Sequence, residues 1–454
     1  MAKKPSVVFV CTACDAQAPR WLGRCPECGA WNTLVEEVTA AGSSGKTRPA
    51  GAASAVPLSG VEASDLPRIP TGMPDVDRVL GGGLVPGSVV LLGGEPGIGK
   101  STLLLQVAAK LAMRLGPILY VTAEESARQV RMRSDRLGIG GSPAAGIFLL
   151  PETELGRILD VVLAGKFGAV VVDSIQTIAS DESAGVPGSV GQVRACAGRL
   201  LSFAKTTGTP VFLIGHVTKD GTLAGPKALE HLVDAVLSFE GERFHSQRVV
   251  RALKNRFGPV HELGVFEMTG SGLTEVANPS ALYLGSGAGA RPGSAVLAGV
   301  EGTRPLLLEV QALTVEVKYG TPRRTAIGFD GTRLALLLAV LERHGGLKLS
   351  AHDVFLNVAG GAESAEPAAD LAVSAAVAGS LRGRALPPAT VVFGEIGLLG
   401  EIRPVSDVAL RLKESVSLGF AGAILPAGNA AEAAAFPDLQ ATPVRSVEEL
   451  LARF

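Results

Sequence analysis

The sequence predicts an α/β chain with three structured parts, and three observations predict this fold class. Four of the five cysteines lie within the first 30 residues, which indicates a small metal-binding module. An apolar run leads directly into a glycine-rich loop and a helical pattern, which is typical of an α/β nucleotide-binding core. From about residue 285 the pattern changes to short strands mixed with amphipathic helices, which indicates a separate α+β domain.

The domain boundaries follow from these patterns and from composition. We predict a four-cysteine module at 1–37, a flexible linker at 38–60, the nucleotide-binding core at 61–284 and the C-terminal domain at 285–454. The linker consists mostly of small residues with several Pro and Gly. Such a composition cannot bury enough apolar surface to order itself.

Charge and hydropathy argue against a strongly basic nucleic-acid-binding protein, a secreted protein and a membrane-spanning protein. Lys plus Arg number 42 and Asp plus Glu number 43, so no overall positive field attracts nucleic acid, and any such contact must come from local patches. The apolar run at the N-terminus is too short for a signal peptide. Charged residues end the most apolar helical pattern, "RLALLLAVLERHGG", well short of a membrane span. We therefore expect a cytoplasmic protein with no membrane partner.

The four N-terminal cysteines have the spacing of a structural zinc site. Cys11 and Cys14 form one C-x2-C pair, and Cys25 and Cys28 form a second. Two such pairs offer four thiolates to one tetrahedral ion and leave no ligand position open for water, which favours structural over catalytic Zn²⁺. The alternatives are a redox dithiol or four unrelated cysteines. We also expect the two tryptophans, at positions 21 and 31, to pack against this small core.

A second motif predicts ATP binding. An apolar strand runs into Gly94-x4-Gly99-Lys100-Ser101, and a helical pattern follows. The glycines let backbone N–H groups face a phosphate, Lys100 reaches the β- and γ-phosphates, and the Ser101 hydroxyl ligates Mg²⁺. The expected nucleotide-binding residues are Gly94, Glu95, Pro96, Gly97, Ile98, Gly99, Lys100, Ser101 and Thr102.

Three further apolar strands each end in a polar side chain that ATP hydrolysis could use. Asp173 ends "GAVVVD" and is expected beside Mg²⁺, the alternative being a carboxylate that caps the next turn. Glu124 is the first acid after "PILYVTA" and is the expected base for water, while Glu125 is either its partner or a surface charge. His216 ends "VFLIGH" and is expected to sense the γ-phosphate, although a lone histidine is often structural.

These motifs together resemble the RecA-like ATPases. With the four-cysteine module, "AGPKALEHLVDAVLSFEGE" at 224–242 and "KNRFG" at 254–258, the whole chain resembles the bacterial RadA (Sms) family. The resemblance implies a DNA-dependent ATPase that processes recombination intermediates and promotes branch migration in homologous recombination and double-strand break repair. It also implies a hexameric, helicase-like ring as the homo-oligomer. The implied partners are single-stranded and branched DNA and other recombination proteins.

The resemblance gives a role to the two cations of "KNRFG". In RecA-like rings ATP lies between subunits, and cations of one protomer reach the γ-phosphate held by its neighbour. Lys254 and Arg256 alternate along a strand and so share a face, which makes them the expected pair of fingers in trans. The alternative is a solvated strand end.

The ring implied by the resemblance would hold DNA on loops that follow the core strands. The expected DNA contacts are Arg194, from the segment 180–199, and Lys219 and Lys227, from the segment 218–227. A further cluster is either a DNA contact or a solvated helix face; it consists of Arg128, Arg131, Arg133 and Arg136.

The C-terminal domain resembles the proteolytic domain of Lon, but it lacks the residues that cleave peptides. Ala368 in "EPAAD" lies at the serine position of that family, and Ala409 in "SDVALR" lies at the lysine position. A methyl group can neither attack a carbonyl nor take a proton. Ser364, Ser374 and Lys413 are out of register. We therefore expect a catalytically inactive scaffold.

Four functions compete on this sequence. The favoured one is an ATP-driven DNA motor of recombination, because the base at Glu124 and the two fingers serve turnover. An ATP-gated DNA-binding switch without motor activity would have the same nucleotide site. An ATP-dependent peptidase conflicts with the two alanines, and a homology-searching recombinase fits poorly with the zinc module and the Lon-like domain.

Overall fold

The chain forms two compact units. The first contains the N-terminal module and the nucleotide-binding core, and the second contains the C-terminal sheet. The computed structural model describes residues 6–11, 17–26, 29, 31, 34–39, 67–141, 145–183, 185–216, 227–241, 246–285 and 287–454. The chain divides into unit 1, Met1–Glu275, and unit 2, Val276–Phe454. The finer boundaries given above remain predictions. No helix in the described ranges is both long and apolar enough to cross a membrane.

The N-terminal module is a small antiparallel sheet in the order β2-β1-β3. Its strands are β1 (Ser6–Cys11), β2 (Gln17–Ala18) and β3 (Leu34–Thr39). Cys11 and Cys25 are buried with Ala18, and Phe9 and Leu22 pack against them. Cys14 and Cys28 lie outside the described residues, as does the predicted linker beyond Thr39.

The expectation that the two tryptophans pack against the core of this module is wrong. Trp21 is 55% exposed and Trp31 is 70% exposed. Among the described residues of the module, the buried cluster consists of Cys11, Ala18 and Cys25 and includes neither indole. The indoles therefore lie on the surface of the module.

The core of unit 1 is a mixed sheet in the order β12-β11-β10-β9-β4-β8-β7-β5-β6. The strands from β9 to β6 in this order pair in parallel, and β10, β11 and β12 add an antiparallel extension. The strands are β4 (Val89–Gly94), β5 (Ile118–Thr122), β6 (Ile147–Leu150), β7 (Ala169–Asp173), β8 (Val211–His216), β9 (Ala235–Glu240), β10 (Gln247–Asn255), β11 (Leu263–Thr269) and β12 (Gly272–Glu275).

Helices cover both faces of this sheet, which explains why β4, β5 and β7 are buried along their whole length. The helices of unit 1 are α1 (Pro74–Val79), α2 (Lys100–Leu115), α3 (Ala127–Arg136), α4 (Leu155–Ala164), α5 (Val190–Thr207) and α6 (Lys227–Glu230). One apolar cluster joins α2 to one face, and a second joins α4 and α5 to the other. The predicted α/β core is confirmed.

Unit 2 is built on a mixed sheet in the order β15-β16-β14-β13-β17-β20-β21, with a separate hairpin of β18 and β19. Its strands are β13 (Ser294–Glu301), β14 (Arg304–Glu316), β15 (Arg324–Ile327), β16 (His352–Val358), β17 (Thr390–Val392), β18 (Glu395–Ile396), β19 (Ile402–Arg403), β20 (Gly422–Pro426) and β21 (Gln440–Val444). Its helices are α7 (Ser280–Tyr283), α8 (Gly331–Arg343), α9 (Ala369–Arg382), α10 (Val408–Ser417), α11 (Ala430–Ala433) and α12 (Val447–Leu451).

The mixture of strands and helices in unit 2 agrees with the predicted α+β pattern. Helix α9 is buried from its first residue to Gly379 because alanines and other small side chains let it pack closely against β13 and β14. Two ion pairs, each with one buried partner, hold the surrounding segments: Asp370 is buried beside Arg333, and Arg411 is buried beside Glu366.

Candidate functional site

The glycine-rich loop lies at the centre of the unit 1 sheet. It follows β4, which lies between β8 and β9, and it leads into α2. Gly99 has a φ of 120°, and a Cβ there would lie 2.6 Å from Met268 Cε. Because a φ of this sign strains the backbone of an L residue, whereas the terminal methyl of Met268 could move aside, it is the backbone conformation that favours glycine there. The backbone therefore has the form of a phosphate cradle at a helix N-terminus, which fits the phosphates of ATP.

Lys100 is buried at the start of α2 and points back into the loop. Its Nζ donates to the carbonyl oxygens of Gly94 at 2.8 Å and of Glu95 at 2.9 Å. Burial lowers its pKa to about 8, although Asp173 and Glu124 nearby favour the charged form. The ammonium thus lies in the loop and within reach of the carboxylates at the neighbouring strand ends.

Asp173 ends β7 and is buried beside the loop. Burial raises its pKa, while hydrogen bonds from Tyr120 and Ser101 act in the opposite direction. The Tyr120 hydroxyl donates to Asp173 Oδ2 at 2.6 Å from the adjacent strand β5. A hydroxyl at Ser101 and a carboxylate at Asp173 are the hard oxygen ligands that Mg²⁺ prefers, so these residues fit the metal.

Glu124 and His216 lie next to each other at the ends of β5 and β8. His216 Nε2 lies 3.0 Å from Glu124 Oε1, and its Nδ1 lies 3.3 Å from Lys100 Nζ. Since an ammonium can only donate, Nδ1 is the acceptor and Nε2 carries the proton towards the carboxylate. The His216 hydrogen bond, assisted by one from the Ser174 hydroxyl, lowers the pKa of Glu124.

Glu125 has a different environment from Glu124. Its Oε1 pairs with Arg133 of α3 at 2.5 Å, and its backbone carbonyl accepts from Thr122. Glu125 is therefore a structural partner of α3. The same helix has a second ion pair, in which Arg131 lies 3.0 Å from Asp135. Two members of the predicted arginine cluster thus have acidic partners within the chain.

The two cations of "KNRFG" lie at the end of the sheet away from the phosphate cradle. Lys254, in β10, donates to the carbonyls of Glu230 and Val233. Its strand neighbour Asn255 pairs with Ala235, and Ala235 pairs with Val90 near the start of β4. The cradle begins at Gly94, at the other end of β4 and about 13 Å from Val90 along the strand at about 3.3 Å per residue. These cations therefore lie far from the nucleotide site of their own chain.

Asp234 organises this cationic end of the sheet, and sequence reasoning missed it. The carboxylate is buried and accepts from Val89 N at 2.9 Å. Lys205 lies 2.8 Å from its Oδ2, and Arg256 lies 3.4 Å from its Oδ1. Lys205 also lies 5.8 Å from the ring centroid of Phe257. One buried carboxylate thus holds two half-exposed cations beside Lys254.

Arg248 is a second residue that sequence reasoning missed, and it lies at the cradle itself. Its Nε donates to Ile98 O at 3.2 Å from the start of β10. With Gly241 and the loop residues Glu95 to Ile98, it lines a cavity of about 210 Å³. No motif marks this arginine, because antiparallel strand pairing alone brings position 248 to the loop.

The residues predicted to bind DNA are only partly described. Arg194 is exposed on α5. Lys227 begins α6, and Lys219 lies outside the described residues.

The structure describes both alanines that were predicted to replace the nucleophile and the base of a Lon-like protease. Ala368 is buried and precedes α9, and Ala409 lies in α10. Glu366 and Arg411, two residues away from each, form an ion pair with a 2.7 Å separation. Arg411 also donates to the carbonyls of Ala298 and Ser406.

The fold and site define a P-loop ATPase with a RecA-like α/β core and an N-terminal zinc ribbon. Residues 55–222 match the AAA domain family, and residues 9–36 match the rubredoxin metal binding domain. The chain is 51% identical to the DNA repair protein RadA of Pseudomonas aeruginosa, over 99% of this chain and 98% of the relative. It is 49% identical to that of Escherichia coli and 47% identical to that of Bacillus subtilis, each over 94% of both chains. The chain therefore belongs to the RadA family of DNA repair proteins.

A solved structure of a KaiC-like protein from Pyrococcus horikoshii is also similar. It is 23% identical, with a TM-score of 0.39, over 47% of this chain and 100% of that one.

Proposed function

We propose that this chain is a DNA-dependent ATPase that processes recombination intermediates and promotes branch migration in homologous recombination and double-strand break repair. It works as a helicase-like ring on single-stranded DNA. The observation that carries the proposal is the position of Lys254 and Arg256, at the opposite end of β4 from the phosphate cradle. The RadA relatives are DNA repair proteins by name, which supports the repair role.

Within one subunit, the site binds and orients ATP. Lys100 leaves the carbonyls of Gly94 and Glu95 and binds the β- and γ-phosphates. Ser101 and Asp173 hold Mg²⁺, which neutralises phosphate charge when bound. Glu124 orients the attacking water and accepts its proton. The lowered pKa of Glu124 keeps its carboxylate ionised for this task.

His216 connects the phosphate to the base. In the structure it bridges Lys100 and Glu124. When Lys100 binds the γ-phosphate, the imidazole of His216 loses its hydrogen bond with Lys100 and keeps the one with Glu124. The resulting movement of His216 is passed to the segment that follows β8. His216 is thus the γ-phosphate sensor of the proposed cycle.

A neighbouring copy completes the site. Lys254 and Arg256 cannot reach the nucleotide of their own chain, but they lie on a surface that a second copy can meet. A head-to-tail contact repeated around an axis closes into a ring, and each cradle then receives two cations that stabilise the charge of phosphoryl transfer. Hexameric closure is part of the proposal.

Single-stranded DNA passes through this ring. Arg194, Lys219 and Lys227 contact its phosphates from segments that follow the core strands. Unit 2 is an inactive protease-like scaffold for assembly, because the methyl groups of Ala368 and Ala409 cannot form or activate a nucleophile. The cofactors are ATP, Mg²⁺ and the Zn²⁺ held by Cys11, Cys14, Cys25 and Cys28.

The test is ATP turnover with and without single-stranded DNA, together with extension of a branched DNA substrate. A motor turns over many ATP molecules per site and moves the branch, and Glu124→Gln abolishes both while retaining ATP binding. A protein that binds DNA only when ATP is present, without stimulated turnover or branch movement, is a switch and contradicts the motor. Digestion of a casein substrate would contradict the inactive scaffold.

A further inference from the structure

The two tryptophans of the chain share one exposed surface of the N-terminal module. Trp21 is 55% exposed and Trp31 is 70% exposed. A methyl group placed on Gly23 would lie 3.7 Å from Trp21 Cη2 and 3.9 Å from Trp31 Cζ3. Both indole rings therefore border the same glycine. Together they form a surface, called here the indole platform, of Trp21, Gly23 and Trp31.

Positive charge flanks the indole platform. Arg24 Cζ lies 5.8 Å from the centroid of the Trp31 ring, and its Nε donates to Gly29 O at 2.9 Å. An isolated antiparallel bridge between Arg24 and Trp31 fixes the two backbones side by side. Arg20, next to Trp21 in the sequence, is exposed as well. The guanidinium of Arg24 is thus held in place against an aromatic ring.

Within the described part of the module, the buried cluster forms without these rings. Cys11, Cys25 and Ala18 form its buried cluster, with Phe9 and Leu22 packed against them. Leaving two indoles in water forgoes the free energy of burying the largest apolar side chains, so a partner that covers them gains that free energy on binding. Exposed aromatic rings gathered on one surface are typical of a binding site.

We propose that the indole platform binds the bases of single-stranded nucleic acid by stacking, with Arg20 and Arg24 on the adjacent phosphates. Every base has a flat π-face, so two rings and two guanidinium groups suffice without base-specific hydrogen bonds. Because the indole platform combines aromatic rings with positive charge, it favours nucleic acid, which has flat bases and negative phosphates, over an apolar peptide. This site is additional to the ring channel proposed above and needs no nucleotide.

The chain offers an unusually direct test, because its tryptophans number two and both lie in the platform. Zinc-loaded full-length protein without nucleotide is titrated with a single-stranded dT oligonucleotide, and tryptophan fluorescence is followed together with the anisotropy of a dye on the DNA. We expect saturable quenching that follows the anisotropy and weakens as salt rises.

Matched variants identify the contact. Trp31→Leu should weaken dT binding about fivefold or more, in line with about 1–3 kcal/mol per stacked base. Trp31→Phe retains a flat ring and should keep most of the affinity. Zinc content and circular dichroism check that each variant is folded. Arg403→Met, which removes an exposed cation of unit 2 outside both proposed DNA sites, should leave the quenching unchanged.

Two outcomes overturn the proposal. If dT binds by anisotropy but the fluorescence of the intact protein does not change, DNA binds elsewhere and the proposal is wrong. If Trp21→Leu and Trp31→Leu, both folded, bind dT like the unaltered chain, stacking contributes nothing. Failure of the proposed motor is separate, because it appears as absent DNA-stimulated turnover, which this titration does not use.

Discussion

Arg256 Nη1 lies 3.4 Å from Oδ1 of Asp234, a carboxylate that is only 1% exposed. The other carboxylate oxygen is already satisfied by Val89 N and by Lys205. Because the backbone of β4 fixes Asp234, this carboxylate fixes the guanidinium in turn. The proposed finger is therefore oriented by the central strand of the same sheet whose far end carries the phosphate cradle.

Replacing this carboxylate should affect catalysis more than binding. In Asp234→Asn the amide oxygen can still accept from Val89, but the charge that holds Arg256 is lost. We expect kcat to fall about tenfold to a hundredfold with little change in KM, because misplacement of a positioned group by about 1 Å costs rate on this scale. Steady-state ATPase measurements give both constants.

Lys205→Met is the matched control for Asp234→Asn. It removes the other cation that contacts the carboxylate and leaves Arg256 paired with Oδ1. A kcat loss in Lys205→Met as large as that in Asp234→Asn would show that Asp234 does not act through Arg256. A change confined to KM in Asp234→Asn would lead to the same conclusion.

The acid side of the ATPase pH profile should depend on His216. Its hydrogen bond is the largest cause of the lowered pKa of Glu124, so the carboxylate stays ionised as pH falls below the ordinary value of 4.5. The Glu124 carboxylate is ionised at pH values above 4.5, and it becomes protonated only as pH falls through its lowered pKa. His216→Ala should therefore move the acid limb of kcat to higher pH.

His216→Gln can still donate to Glu124 and serves as the comparison for His216→Ala. We expect the acid limb of His216→Gln to lie between those of the unaltered chain and the alanine variant. Identical acid limbs in all three proteins would contradict a role for His216 in holding the base ionised.

ATP affinity should fall at alkaline pH because of Lys100. Burial lowers its pKa to about 8, so the ammonium is lost as pH rises through this value. Bound phosphates favour the charged form of Lys100 and raise its pKa. At a pH between the pKa of the free protein and that of the ATP-bound protein, Lys100 therefore takes up a proton when ATP binds. We expect up to about a tenfold weaker affinity per pH unit above pH 8.

Calorimetry in two buffers of different ionisation enthalpy measures that proton uptake directly. Uptake should be near zero at pH 7, where Lys100 is already charged, and should rise towards one proton as pH passes about 8. Lys100→Gln provides the control, since it has no proton to gain. Equal uptake by Lys100→Gln would assign the effect to another group.

The ion pair between buried Arg411 and half-buried Glu366 should contribute clearly to the stability of unit 2. Arg411 is only 3% exposed and lies 2.7 Å from Glu366. Arg411→Met keeps much of the volume but leaves Glu366 without its cation; because Glu366 is 20% exposed and still accepts from Val300 N, we expect a cost of about 1–3 kcal/mol, below that of breaking a fully buried pair. Chemical unfolding followed by circular dichroism measures the loss in the free energy of unfolding.

The exposed pair of Arg403 and Glu401 is the control for that substitution. Arg403→Met removes a contact of 2.6 Å, but the arginine side chain is 55% exposed. Solvent screens this pair, so the unfolding midpoint should hardly change. Equal destabilisation by Arg403→Met and Arg411→Met would mean that burial does not decide the strength of these ion pairs.

Local spacing and strand ends allowed much of the site geometry to be predicted. The cradle from Gly94 to Ser101 is contiguous, so its spacing is visible in the sequence. Asp173, Glu124 and His216 each end a parallel strand, and the carboxyl ends of parallel strands meet at one edge of a sheet. The structure brings these side chains together with Lys100; their catalytic roles remain proposals.

Residues whose partners come from elsewhere in the sheet could not be predicted in this way. Tyr120 lies 53 positions from Asp173, and Arg248 lies 150 positions from Ile98. Asp234 in "HLVDAV" resembles an ordinary residue before a strand, and only the pairing of β9 with β4 reveals its contact with Val89. The prediction that Trp21 and Trp31 pack against the core of the N-terminal module failed for a related reason. Composition alone does not show whether an aromatic side chain in so small a module is buried or exposed.

The most direct test of the account is a subunit-mixing experiment. Lys100→Ala and Arg256→Ala should each be inactive in ATP hydrolysis, the first without a working cradle and the second without a working finger. If a finger serves the cradle of its neighbour, co-assembly in equal amounts restores an intact interface at about one site in four, because head-to-tail contacts pair the cradle of one copy with the finger of another. We predict ATPase activity close to that fraction of the unaltered protein. Mixed assemblies, verified by differently tagged subunits, that stay as inactive as either variant alone would contradict the account.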